Sequence, residues 1–250
     1  MHNTLTPLQG NRRNTRATLV VLASLVAFAS TAWGQATSLF FSEYVEGTSN
    51  NKALEIYNGT CAPVNLAEDG YAIEIYFNGN TSPGTTIPLT GEVADGDVYV
   101  VADDGASTAI LDQADQTSTS NFFNGNDAVA LVRDAEFVDV IGQIGFAPVS
   151  GEWGSGDVST QNNTLRRRPE VCAGDATGTD AFGPSMEWGG FAEDTFDGLG
   201  AHSATCLAQR IQMLEEIVEA FRNHTHTYLT GKGVGHNNTT AETGPAIPVE

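Results

Sequence analysis

The chain predicts an all-β fold, a β-sandwich followed by a short C-terminal α-helix or coiled coil. Three observations carry this. Between Phe40 and His202, β-type runs alternate with Gly/Asn/Asp turns. The run YAIEIYF places Tyr71, Ile73, Ile75 and Phe77 on one face and Ala72, Glu74 and Tyr76 on the other, the period of a half-buried strand. VYVVA and AVALV are nearly continuous apolar runs, as expected of strands deep in a sandwich. Many short strands with turn signals between them and no helical period make a sandwich.

Taken in order, the elements begin with an export signal. Arg12, Arg13 and Arg16 precede the apolar run Ala17–Ser30 and the small residues Ala32, Gly34 and Ala36. That order predicts a signal peptide over residues 1–36, and the run is shorter than the ~20 residues of a spanning helix. The expected location is therefore secreted, periplasmic or on the cell surface. Removal of 1–36 leaves 8 basic against 31 acidic residues, a formal charge of −23. Such a surface repels polyanions, so sequence-independent nucleic-acid binding is disfavoured.

Residues 37–203 read as one domain. Its strands are expected at Phe40–Val45, Ala53–Tyr57, Tyr71–Phe77, Thr86–Leu89, Val98–Ala102, Ala128–Val132, Phe137–Ile144 and Thr164–Arg168. The first two flank Gly-Thr-Ser-Asn-Asn, a hairpin turn whose Gly and Asn tolerate positive φ. FNGN occurs at Phe77–Asn80 and again at Phe123–Asn126, and reads as turn chemistry used twice. The stretch from Glu170 to His202 lacks a clear strand; Trp188, Phe191 and Phe196 are expected to pack an irregular closing segment over the sandwich. Of three cysteines, Cys61 and Cys172 both lie in the β region and are the favoured disulfide over Cys172–Cys206.

Signals for catalysis are weak, and no catalytic residue is assigned. There is no G-x-S-x-G elbow, Walker loop or zinc-type Cys spacing. His202 reads as structural. Glu43, Glu46 and Glu55 read as surface glutamates rather than paired acids. The runs Asp103-Asp104, Asp175–Asp180 and Asp194–Asp197 offer oxygen ligands for Ca²⁺, although Asx side chains in turns more often cap their own backbone. Arg166 and Arg168 face one way and Arg167 the other, so the run is not a three-Arg patch; with so many carboxylates in the chain, pairing with them is expected ahead of phosphate binding.

Residues 204–223 change character. Leu207, Ile211, Leu214, Val218 and Phe221 are spaced 4-3-4-3, an a/d seam that predicts a homo-oligomer, a trimer among the options; the same stripe also suits a helix folded back on the sandwich. Residues 224–250 form a polar, Gly-rich tail. There His224 and His226 share one face of an extended chain, so copies gathered about an axis could hold a divalent transition metal. The HTHTY wording is similar to the iron-holding segment of trimeric phage tail tips.

Eight ordered blocks carry a family resemblance over nearly all of residues 39–202. They include SEYVEGTSNNKALEIYNGT, IEIYFNGNTSPGTTIPLTG, FFNGNDAVALV and EWGSGDVSTQNNTLRRRPEVCAGD. The chain resembles the bacterial secreted lamin-tail domain, also found beside the catalytic domain of some extracellular nucleases. The resemblance implies an immunoglobulin-like β-sandwich without catalytic residues, acting in binding, adhesion or scaffolding toward an extracellular or cell-surface ligand. The alternative it leaves is an accessory of extracellular nucleic-acid degradation. Fewer than 50 residues follow His202, too few for a nuclease core.

Overall fold

The computed structural model describes residues 38–205, 215 and 217–222. Fourteen strands run through the described residues: β1 Phe40–Glu46, β2 Lys52–Tyr57, β3 Val64–Asn65, β4 Tyr71–Tyr76, β5 Thr85–Pro88, β6 Glu92–Val93, β7 Val98–Asp103, β8 Gln116–Ser118, β9 Ala128–Arg133, β10 Glu136–Ile141, β11 Gly154–Ser155, β12 Val158–Ser159, β13 Asn163–Arg167 and β14 Trp188–Ala192. One helical turn, α1 (Thr108–Leu111), follows β7.

Two sheets face each other, a six-stranded one in the order β14-β13-β1-β2-β7-β8 and a four-stranded one in the order β10-β9-β4-β5. All pairs in them are antiparallel except β7–β8. Between them lie Phe41, Tyr44, Ile56 and Trp188 from the large sheet and Ile73 and Leu131 from the small one. The alternation expected of YAIEIYF holds: Tyr71, Ile73 and Ile75 enter this core, while Ala72 and Tyr76 pack on the outer face with Trp153. VYVVA is buried on both sides, Tyr99 and Val101 inward and Val100 and Ala102 beneath α1 and Leu199. The architecture is an immunoglobulin-like β-sandwich.

One expectation changes. Trp188–Ala192 is an edge strand, with Trp188 opposite Arg167 and Phe191 opposite Thr164. Its Gly-Gly core hides strand propensity; Gly190 lies so close to the Asp157 carbonyl that no side chain fits. Cys61, the favoured partner of Cys172, is exposed. Cys61 stands in a turn at φ 63, its N–H bonded to Asp95 at 2.7 Å. Cys206, the other candidate, lies outside the described residues.

Candidate binding cleft and buried charges

The β1–β2 turn, the end of β7 and the loop after β8 meet at one end of the sandwich, where Phe77 of the small sheet joins them. They enclose an open cleft of about 530 Å³. Loops gathered at the end of a rigid sandwich are where such folds place recognition. The two FNGN copies build one wall. Asn78 turns at φ 54 and Gly79 at φ 75, conformations that Asn and Gly adopt readily. Buried Asp127 joins the copies, its carboxylate accepting the Asn78 N–H at 2.7 Å and the Asn124 N–H at 2.8 Å. Asn126 closes the link by donating to the Asn78 side chain at 3.1 Å. Phe77 and Phe122 thereby flank the cleft.

The cleft is rich in amides, hydroxyls and carboxylates, among them Asp103, Asp104, Asn121 and Asn124. Lys52 is the cation in its lining, and that ammonium is held by Glu46 at 2.9 Å and by the Gly47 carbonyl. The cleft therefore presents net negative charge with no open cation.

Glu43 and Glu55 are buried, not surface residues. They stand opposite each other on β1 and β2, on the outer face of the large sheet, with Arg166 opposite Glu43 on the other side. Arg166 Nε donates to Glu43 at 3.1 Å and its Nη2 to Asp197. Glu55 accepts from Ser42 at 2.7 Å and from the Gly200 N–H at 2.7 Å. Burial pushes Glu43 up to about 8, the Arg166 guanidinium opposing it and Glu55 adding to it. Burial likewise raises Glu55. Residues 193–200 lie over the cluster: Phe196 and Leu199 pack with Val45 and Val100, and Gly198 approaches Arg166 and Glu43 with no room for a Cβ. Covered in this way, and outside the cleft lining, the acid pair reads as structural.

A second ion pair ties the sheets together. Arg167, 3 % exposed, bonds Asp139 of the small sheet, Glu187 and the Phe41 carbonyl, with its guanidinium 4.2 Å from the Trp188 ring. Asp139 also accepts the Phe41 N–H at 2.8 Å. Arg166 and Arg167 thus pair with carboxylates, while Arg168 donates to the Met186 carbonyl at 3.4 Å.

The acidic runs cap backbone rather than gather around an ion. Asp194 accepts from Thr48 and Asn51 and so locks the β1–β2 turn, Asp175 accepts from Thr177, and Asp103 from Gly105. Among the described residues no three His, Cys, Asp or Glu side chains converge as a metal site. His202 packs edge-on to Tyr57 and Phe40, and burial first, then Arg167, pushes it down to about 4. The metal candidates His224 and His226 lie outside the described residues, as do Leu207, Ile211 and Leu214 of the seam. Val218 and Phe221 are helical and exposed, beside exposed Ile217.

Residues 34–145 match the family model described as the Lamin Tail Domain. No curated protein and no solved structure matches the chain. The matched stretch holds β1–β10, while β13, wedged between β14 and β1, completes the same large sheet from beyond it. Over residues 34–145 the chain is similar to the lamin tail domain, an immunoglobulin-like family.

Proposed function

We propose that the chain is an exported binding or scaffold module whose sandwich head is carried on a self-associating C-terminal helix. The observation that carries this is the placement of the two ends. The cleft sits where β1 meets β2 and β7 finishes. The chain leaves from the opposite end, where Ala204 packs against the Phe40–Tyr57 pair, and Thr205 bonds the Pro169 carbonyl at 2.6 Å. A helix starting there presents the cleft outward instead of covering it. The 4-3-4-3 seam and the exposure of Val218 and Phe221 support association of that helix with copies of itself. A metal at His224 and His226 fits the same arrangement, since one chain supplies too few ligands and several copies supply enough.

The chemistry of the cleft favours binding over hydrolysis of nucleic acid, because net negative charge without an open cation repels phosphate. Incubation of the purified chain with DNA in Mg²⁺ or Ca²⁺ tests this reading. Intact DNA is the expected result; metal-dependent cleavage that survives repurification would replace the module with a nuclease or its accessory.

A further inference from the structure

The cleft walls narrow what the module binds. Resting on the binding-module reading, we infer that the cleft takes a neutral polyhydroxylated ligand, the end of an oligosaccharide or polysaccharide chain. Four of its side chains, Asp104, Thr119, Asn121 and Asn124, form no hydrogen bond with the described residues. Together they offer acceptors and donors around an opening of about 530 Å³.

Charge excludes anions: Asp103 and Asp104 line the cleft, and Lys52 is spent on Glu46 and Gly47. An apolar ligand fits poorly, because the Phe rings are outnumbered by open polar groups whose desolvation would go unrepaid. A hard cation binds through oxygen alone and would leave the Asn121 and Asn124 N–H donors idle. Asp103 moreover already commits one oxygen to the Gly105 N–H at 2.8 Å. Hydroxyls answer both sets of groups, since each donates and accepts. Neighbouring hydroxyls bridge a carboxylate and an amide, while the C–H face of the ring rests on Phe77. Phe77 is half-buried and packed against Gly84, so its ring is a fixed surface.

The test is a titration of the ¹⁵N-labelled intact chain, in EDTA, with a panel of soluble neutral oligosaccharides. Saturable shifts centred on Asp104, Asn121 and Asn124 are expected. Asp104→Ala and Asn121→Ala, both at exposed positions, are each expected to weaken binding about tenfold, the scale of one lost hydrogen bond to a charged or fixed partner. Their spectra away from the cleft should match the parent, which separates lost contacts from lost fold. Co-sedimentation with insoluble polysaccharide distinguishes a polymer chain end from a free oligosaccharide, and either supports the inference. Absence of shifts at millimolar saccharide, shifts centred elsewhere on the domain, or shifts with CaCl₂ alone would each overturn it. The reading of a head on a self-associating helix is judged separately, by mass in solution.

Discussion

Asp127 serves two turns with one carboxylate. Its oxygens accept N–H groups from Asn78 and Asn124, residues of the two FNGN copies. Truncation by Asp127→Ala strands both donors in a buried setting and should cost about 2–3 kcal/mol in urea unfolding. A loss under about 0.5 kcal/mol would remove Asp127 as the link. The repeat was legible in the sequence as turn chemistry, but the pairing of its copies was not, because it depends on β4 and β9 lying side by side. The buried glutamates were misread for a related reason. Glu43 alternates like a solvent-facing residue, and what covers it, residues 193–200, lies about 150 positions further along the chain.

At the scale of elements, the closing segment 193–200 behaves as a clasp on the outer face of the large sheet. It is held by Asp194 on the β1–β2 turn, Asp197 on Arg166 and the Gly200 N–H on Glu55. Gly198→Ala forces a methyl group into Arg166 and Glu43 and should cost about 1–3 kcal/mol, whereas Gly183→Ala meets nothing within 4 Å and should be near neutral. Equal effects in thermal melts would argue against the clasp.

Two groups flanking this segment respond to pH in opposite senses. Glu43 is raised to about 8 in the fold, so its contribution is intact below the ordinary carboxylate value of 4.5 and is lost as pH rises through 8. The stability of Glu43→Gln relative to the parent should therefore grow between about pH 5 and pH 9. A difference that does not change with pH would contradict this. His202 is lowered from 6.5 to about 4, so its contribution is present above 6.5 and is lost as pH falls through 4. His202→Phe should flatten that acid limb in denaturant midpoints.

The long strands were readable because their burial imposes a two-residue period or an unbroken apolar run. Two-residue strands such as β3 and β11 leave no such pattern, and β8 pairs in parallel through only three residues. The edge strand β14 was hidden by Gly189 and Gly190, which are there because the backbone of 157–158 passes against the second of them.

At the scale of the whole molecule, the fold class was legible in the sequence, while the relation between its two ends was not. The hairpin turn and the C-terminal exit are opposite because β1 and β2 span the sheet between them, with Phe40 paired to Tyr57 at one end and Glu46 to Lys52 at the other. On the proposed reading, that geometry makes the sandwich a head whose cleft points away from the C-terminal exit. The proposed self-association would make the protein multivalent, with several weak clefts acting together.

Light scattering of the purified chain, beside a Val218→Asp/Phe221→Asp variant, tests this most directly. Both positions are exposed, so the sandwich of the variant should remain folded. The parent is expected at a multiple of the chain mass and the variant at the mass of one chain. A parent that runs as a single chain, or a variant that keeps the parent's mass, would contradict a head carried on a self-associating helix.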